Sequence, residues 1–136
     1  MSAGSAFFDT NILLYLVSGD LAKANRAEAL IAAGGVISVQ VLNEFVSVAS
    51  RKLAMSLPEI REVLSAIRAI CAVEPLSIQT HDLGVDLAER FRLSFYDALI
   101  VAAAVLAKCD TLYSEDMQDG QRIEKVTIRN PFAAGG

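Results

Sequence analysis

Four carboxylates in the sequence lie next to apolar residues or just beyond a predicted strand. Asp97 heads the segment SFYDALIVAAAVLA (94–107), in which no polar residue follows it. Asp9 comes directly after two phenylalanines, Glu44 lies within VLNEFV, and Asp116 lies in the loop EDMQDG. An isolated charge is very costly to bury. Each acid in an apolar segment must therefore either face solvent or have a specific partner.

Together, these acids would have the chemistry of a metal site. Four carboxylates at one place repel one another and raise one another's pKa values unless a cation lies among them. Oxygen ligands without histidine or cysteine suit Mg²⁺, or Mn²⁺ in its place, rather than zinc. Such an ion lowers the pKa of a bound water and neutralises charge on the leaving oxygen of a phosphodiester. The pattern therefore predicts metal-dependent phosphodiester hydrolysis.

Each acid taken alone also has an explanation that involves no chemistry. Free N–H groups and the helix dipole stabilise an acid such as Asp97 in the first turn of a helix. Asp9 could cap the helix that follows it, and Glu44 could point outward from a mixed helix face. Asp116 belongs to a polar loop. Only the joint placement of the four favours a functional site.

The elements that must position these acids alternate along the chain. Hydrophobic periodicity and turn residues predict strands at 5–9, 36–38, 72–77, 110–114 and 124–129, helices at 10–18, 20–35, 39–54, 57–71, 78–91 and 96–108, and a polar loop at 115–122. This order predicts an α/β domain with a five-stranded, mainly parallel sheet and helices on both faces. Ligands of such sheets bind beyond the carboxyl ends of the strands, where Asp9 and Asp116 fall. Asp97 heads the helix that leads into the fourth strand.

The composition indicates one globular domain. Hydrophobic residues make up 54% and charged residues 21%, so disorder is not expected. We expect a single domain over residues 1–136, with frayed ends at 1–4 and 132–136. The longest apolar run, 98–107, is shorter than the roughly 20 residues that cross a bilayer. The start MSAGSAFFD has no basic residue of the kind that opens a signal peptide, so we predict a cytoplasmic protein without membrane association.

Charge and reactive side chains exclude several other functions. Twelve basic against 16 acidic residues give a net charge of −4, which argues against a broad nucleic-acid-binding face. It does not argue against a nucleic acid that is held locally and cleaved. Cys71 and Cys109 have no metal-site spacing and are predicted to be ordinary thiols. With His81 as the single histidine and no GxSxG motif, serine or cysteine hydrolysis is not expected.

Four motifs resemble the PIN domain family and, within it, the VapC toxins of bacterial toxin–antitoxin pairs. They are FFDTNILLY, VLNEF, LSFYDALIVAAA and LYSEDMQDGQ, in that order over nearly the whole chain. The first and third motifs are quite specific, whereas the other two are weak alone. The resemblance implies a metal-dependent ribonuclease, with Mg²⁺ or Mn²⁺ as cofactor. It also implies a three-layer α/β/α fold with a five-stranded parallel sheet and an acidic pocket.

By position, the four acids resemble the acids of that family. Asp9 and Asp97 match the residues most often assigned to Mg²⁺. Glu44 and Asp116 match those that complete the pocket and help to hold metal or water. The resemblance therefore assigns all four as catalytic residues and metal ligands.

The resemblance also implies accessory residues and partners. Thr10 and Asn11 match the polar pair that orients the first acid, and Ser114 is expected to do the same near Asp116. Asp119 lies where such toxins vary and is treated as accessory. The implied partners are an RNA substrate, a second copy of the chain in a homodimer, and a small VapB-like antitoxin that inserts a segment near the pocket.

Two other functions remain open on the sequence alone. A phosphate-receiving signalling domain also gathers acids at strand ends, but it needs two adjacent acids after the first strand and a lysine after the last. Here Thr10 and Asn11 follow Asp9, and Lys125 opens its strand. A PIN-like module that binds RNA or protein without cleaving is the second alternative. Mg²⁺-dependent cleavage separates it from the toxin.

Overall fold

The structure is a computed structural model that describes residues 5–133. Helices and strands alternate through most of the chain. In order they are β1 Ala6–Phe8, α1 Thr10–Tyr15, α2 Leu21–Ala32, β2 Gly35–Ser38, α3 Val39–Lys52, α4 Leu57–Arg68, β3 Cys71–Glu74, α5 Ile78–Phe91, α6 Phe95–Leu106, β4 Thr111–Tyr113, β5 Arg122–Ile123 and β6 Val126–Arg129. The predicted α/β class is confirmed.

The strands form one mixed sheet in the order β3-β2-β1-β4-β6-β5. Every neighbouring pair is parallel except β5 and β6, which are antiparallel. The strand β1 is central, with β2 on one side and β4 on the other. Chain order runs outward from β1 in both directions, so the topological switch point lies between β1 and β4. In open α/β sheets this is the place where ligands bind.

The predicted number of strands was wrong by one, because Arg122 was assigned to a polar loop and Ile123 to no element. This strand has only two residues, Arg122 and Ile123, of which only the second is buried. It pairs with β6 through a two-residue turn in which Glu124 has a φ of 54°. Glycine or asparagine usually marks such a left-handed position. A glutamate there carries no hairpin signal.

The core is built on both sides of β1 and around α6. Phe7 and Phe8 of β1 are fully buried, and α6 is buried continuously from Ala98 to Ala104. This helix packs against β2, β4 and β6, as expected for a helix that is apolar almost all round. It therefore anchors whatever its first turn carries.

Gly34 and Gly35, the last two residues of the helix predicted over 20–35, lie beyond α2 and have two different roles. Gly34 has a φ of 89° and follows the C-terminal turn of α2, a conformation that glycine adopts without strain. Gly35 opens β2, and a Cβ atom there would lie 2.7 Å from the carbonyl oxygen of Ala6 and 2.7 Å from the ring of Phe8. The close approach of β1 and β2 therefore requires a residue without a side chain.

No helix within residues 5–133 is both long enough and apolar enough to span a bilayer. Of the residues predicted to fray, 1–4 and 132–136, those at 1–4 and 134–136 lie outside the described residues. Phe132 is described, and its ring packs edge-on against Tyr15 with centroids 4.9 Å apart.

Candidate functional site

Asp9 lies at the carboxyl end of β1 and caps α1. Its side chain is 4% exposed and accepts three hydrogen bonds. Thr10 donates its backbone N–H to Oδ1 (2.7 Å), while Ser114 Oγ (2.7 Å) and Asn11 Nδ2 (3.2 Å) donate to Oδ2. The capping role that was an alternative to function is therefore real. Capping uses only Oδ1 of the carboxylate, because Oδ2 accepts its hydrogen bonds from the side chains of Ser114 and Asn11.

Glu44 faces the same place from α3, which begins directly after β2. Its Oε1 accepts a hydrogen bond from Thr10 Oγ1 (2.8 Å) and its Oε2 accepts one from Gln40 Nε2 (2.9 Å). Gln40 lies one helical turn earlier and is buried. Glu44 thus does not point outward. Thr10, which also donates its backbone N–H to Asp9, and Gln40 on the same helix hold the carboxylate of Glu44 in place.

Asn11 bridges the first acid to the last. Its Nδ2 donates both to Asp9 Oδ2 and to Asp116 Oδ2, each at 3.2 Å. Its Oδ1 accepts the backbone N–H of Glu115 at 3.1 Å. One side-chain amide therefore ties the start of α1 to the loop that follows β4. Asp116 itself is exposed.

Ser114 organises that loop from its buried position just after β4. Its Oγ donates to Asp9 and accepts the backbone N–H groups of Asp116 and Met117, both at 3.2 Å. The sequence placed this serine near Asp116. The structure places it between the backbone of Asp116 and the carboxylate of Asp9.

Asp97 lies in the first turn of α6, three residues after the N-cap Ser94. The backbone N–H of Asp97 donates to Ser94 Oγ at 3.3 Å. The carboxylate is half-buried and close enough to Asp9, Glu44 and Asp116 to interact with each of them electrostatically. The four predicted acids thus meet beyond the carboxyl ends of β1, β2 and β4.

The protonation equilibria reflect this crowding of like charges. The pKa of Asp9 is raised to about 6: burial raises it most, hydrogen bonds from Ser114 and Thr10 lower it, and the charges of Asp97 and Glu44 raise it. Burial also raises the pKa of Asp97, Ser94 lowers it, and Glu44 and Asp116 add upward contributions. An acidic cluster with raised pKa values is an environment that a cation would stabilise.

The donor set fits a hard divalent cation, although the geometry does not provide a complete cage. Carboxylate oxygens without histidine or thiolate suit Mg²⁺ or Mn²⁺. Within residues 5–133, however, no three Asp, Glu, His or Cys side chains are arranged so that they could hold a metal ion by themselves. An ion at this place would take part of its coordination from water or a bound phosphate, as Mg²⁺ commonly does.

Asp119 is the one predicted accessory residue that the structure places elsewhere. Its Oδ1 accepts the backbone N–H of Asn130 at 2.9 Å, which ties the loop after β4 to the chain after β6. The two cysteines are buried free thiols, as predicted. Burial raises the pKa of Cys71, and burial with the charges of Asp110 and Glu74 raises that of Cys109 to about 11. Neither thiol is poised to act as a nucleophile.

Several residues that support the site were not predicted. Gln40 holds Glu44, and Ser94 caps the helix that carries Asp97. The serine precedes an acid by three residues, a capping signal that the sequence does show. Glu115 accepts hydrogen bonds from Tyr15 and Lys23. Nothing in the spacing of these three residues indicates that they meet.

The sequence matches the family profile of the PIN domain over residues 6–123. That range contains all four acids and ends with β5. Comparison with curated protein sequences found no significant match.

Among solved structures, the fold is similar to several toxins of toxin–antitoxin systems. A toxin–antitoxin complex from Klebsiella pneumoniae is 24% identical with a TM-score of 0.72, covering 94% of this chain and 98% of that one. VapC20 from Mycobacterium tuberculosis, a sarcin-ricin loop cleaving toxin, is 22% identical with a TM-score of 0.67 and coverages of 82% and 90%. VapBC2 from Rickettsia felis, bound to a DNA fragment from its promoter, is 20% identical with a TM-score of 0.67 and coverages of 92% and 97%. At these identities the likeness shows the fold.

Proposed function

The chain belongs to the PIN domain family, and from that premise we propose that it is a metal-dependent endoribonuclease acting as the toxin of a toxin–antitoxin pair. The proposal goes beyond family membership in three respects, namely the reaction, the metal and the substrate. It rests on the acidic site.

One observation carries the proposal, namely the buried Asp9 with its raised pKa. At neutral pH this carboxylate is mostly ionised although burial and two neighbouring acids oppose its charge. A side chain that serves only as a helix cap needs neither the burial nor the acidic neighbours, because serine or asparagine caps equally well. The cluster is explained if its charge is matched by a divalent cation.

The residues of the chain divide the proposed work between them. Asp9 and Asp97 would hold Mg²⁺ or Mn²⁺, with Glu44 and Asp116 completing the site, and the ion when bound supplies an activated water and charge neutralisation at the phosphate. Thr10 fixes the carboxylate of Glu44, while Ser114 and Asn11 fix that of Asp9. Gln40 holds the second oxygen of Glu44. These hydrogen bonds orient the acids before any substrate arrives.

Asp97→Asn is the substitution that tests this function. The change keeps the size of the side chain and the N-cap at Ser94 but removes a charge from the site. We expect cleavage of a mixed RNA pool to fall by roughly 100-fold or more, as for loss of a metal ligand. The same expectation holds for wild-type protein with a chelator, and addition of Mg²⁺ should restore only the wild type.

Asp82→Asn is the matched control, since it makes the same substitution on the exposed surface of α5. It should cleave like the wild type. If wild type and Asp97→Asn degrade RNA equally while both stay folded, the activity is a contaminant. The chain is then a PIN-like module that binds RNA or protein without cleaving.

The proposed partners follow from the same premise. Two of the structural neighbours were solved as toxin–antitoxin complexes or with promoter DNA, which supports an antitoxin partner for this chain. Ile78 is 75% exposed and Tyr96 62% exposed, as expected where an apolar surface is covered by protein. We therefore propose a homodimer and a small VapB-like antitoxin, and the mass of the purified protein in light scattering tests the former.

A further inference from the structure

A cluster of three residues lies beside the acidic site without belonging to it. Lys23 Nζ is 2.5 Å from Glu115 Oε2, and the hydroxyl of Tyr15 donates to Glu115 Oε1 at 2.5 Å. Lys23 Nζ also donates to the hydroxyl oxygen of Tyr15 at 3.1 Å. Each oxygen of the Glu115 carboxylate therefore has its own donor, and the two donors contact each other. We call Tyr15, Lys23 and Glu115 the clamp.

The clamp joins three separate segments of the chain. Tyr15 ends α1, Lys23 lies in the first turn of α2, and Glu115 lies in the loop after β4. Aromatic rings hold the ammonium group in place, because Lys23 Nζ lies 4.8 Å from the ring centroid of Tyr15 and 5.4 Å from that of Phe132. Lys23 is 32% exposed and Glu115 25% exposed. This is a partly desolvated network rather than a lone surface ion pair, which alone contributes little.

Glu115 is restrained through both its side chain and its backbone. The clamp holds its side chain, and its backbone N–H donates to Asn11 Oδ1. The other end of the same Asn11 amide donates to Asp9 and to Asp116. The clamp is thus one residue away from Asp116 along the chain and one hydrogen bond away from the bridge between Asp9 and Asp116.

Asp116 is the acid that most needs such a restraint. It is exposed and lies in a loop, whereas Asp9 is buried and Glu44 and Asp97 lie on helices. Repulsion from the other carboxylates favours rotation of its side chain toward solvent, as does the rotamer freedom of an exposed side chain. Sites of this kind work only when their groups are held to about half an ångström.

We propose that the clamp is a positioning unit that acts through Asn11 to hold Asp116 in the acidic site. Its metal-related consequence rests on the proposed function. Tyr15, Lys23 and Glu115 contact neither ion nor substrate in this role. They tie the end of α1 and the start of α2 to the loop after β4, and Asn11 passes this restraint to the two acids.

The test uses Lys23→Met and Tyr15→Phe, each of which removes one donor and keeps the bulk of the side chain. The first readout is hydrogen exchange at the backbone amide of Glu115 in metal-free protein, and the second is Mn²⁺ affinity measured by electron paramagnetic resonance. We expect both substitutions to speed the exchange of that amide. We also expect Mn²⁺ affinity to fall on the order of tenfold, the lower end of the effect of losing an outer hydrogen-bond partner. Lys23→Arg keeps the charge, so we expect it to retain most of the protection of the Glu115 amide and most of the Mn²⁺ affinity of the wild type.

Arg90→Met is the matched control. It removes an ion pair of the same 2.5 Å length, between Arg90 and Glu124, that joins α5 to the β5–β6 turn. It should change neither readout.

Two results would overturn the proposal. In one, the exchange of Glu115 is unchanged in both clamp variants, so the clamp does not restrain the loop. In the other, exchange becomes faster while Mn²⁺ affinity stays the same, so the clamp is only structural. Wild-type protein that neither binds Mn²⁺ nor cleaves RNA overturns the proposed function and the metal-related role together. The exchange data then show whether the clamp still fixes the Asn11 bridge.

Discussion

At the scale of single residues, Asp9 shows how function and stability oppose each other in this protein. Three donors stabilise its carboxylate, yet burial and two acidic neighbours outweigh them and leave its pKa at about 6. The folded protein without metal therefore holds a proton on Asp9 in a pH range in which the unfolded chain has already released it. Stability must depend on pH through this one residue.

The direction of that dependence follows from the two pKa values. The pKa of Asp9 is about 6 in the folded protein and its ordinary value in an unfolded chain is 3.8, so the contribution of Asp9 to stability is complete below about pH 4 and is lost as pH rises through 6. A shift of this size corresponds to about 3 kcal/mol. Asp9→Asn removes this pH dependence, and an amide nitrogen in place of Oδ2 no longer accepts the hydrogen bonds from Ser114 and Asn11, a loss that does not depend on pH. In chelator we expect the unfolding free energy of the wild type to fall by about 2 kcal/mol relative to that of the variant between pH 4 and pH 8.

Urea unfolding of both proteins between pH 4 and pH 8 measures this difference, because titrations that the two proteins share cancel. The gap in unfolding free energy should open as pH rises through 6. A gap that stays constant over the whole range would contradict a raised pKa at Asp9. Saturating Mg²⁺ should stabilise only the wild type.

The sequence pointed to the four acids that the fold brings together, and the family resemblance added Thr10, Asn11 and Ser114, but neither pointed to Gln40. Asp9 and Asp97 are visible because an acid beside a buried segment needs an explanation. The sequence gives no signal for the role of Gln40, because a glutamine one helical turn from a glutamate is common on any helix. Ser114 was placed at the right end of the right strand, but its donation to Asp9 depends on the pairing of β1 with β4.

At the scale of elements, short strands that end together create the site. The strand β1 is only three residues long and ends where Asp9 begins α1. Its distance from β2 is set at Gly35, where there is no room for a Cβ atom. The position of Asp9 relative to Glu44 therefore depends on a residue that contacts neither acid.

Gly35→Ala should destabilise the protein by roughly 3 kcal/mol, the upper part of the range for overpacking. The added methyl group meets a backbone oxygen and a fully buried ring, Ala6 and Phe8, neither of which moves easily. Chemical denaturation measures the loss. Gly19→Ala is the control, because a Cβ atom there meets nothing within 4 Å. Equal stabilities for the two variants would show that β1 can move away from β2.

The starts of the helices were predicted more closely than the ends of the strands, for a physical reason. The helix predicted over 78–91 agrees with α5 at both ends, since its start has a capping serine and its apolar residues repeat over four turns. The strands predicted at 72–77 and 124–129 were each too long. Pairing with a neighbour sets the end of a strand, and the residues themselves do not record that pairing.

At the scale of the whole molecule, the last described residues return to the first helix. Phe132 packs against Tyr15 and lies beside Lys23, and Arg26 of α2 donates to the carbonyl oxygen of Pro131 at 3.3 Å. These residues lie beyond the range that matches the family profile, which ends at residue 123. The end of the described chain thus packs back onto α1 and α2.

Phe132→Ala should lower the unfolding free energy by about 2 kcal/mol, combining a lost aromatic pair with partial burial of the ring. Thermal unfolding followed by circular dichroism measures it. Leu21→Ala removes a side chain that is 74% exposed, and it should change stability by less than about 0.5 kcal/mol. A similarly small effect at Phe132 would mean that this packing contributes nothing to the fold.

Because the chain is synthesised from its N-terminus, the pairing of β1 with β4 forms late in synthesis. The hydrogen bond from Ser114 to Asp9 joins residues 105 positions apart, and β1 finds its partner β4 only at Thr111–Tyr113. During translation Asp9 therefore lacks both its hydrogen bond from Ser114 and its neighbour Asp116 until most of the polypeptide has left the ribosome. The acidic site is therefore complete only when synthesis of the chain is nearly finished.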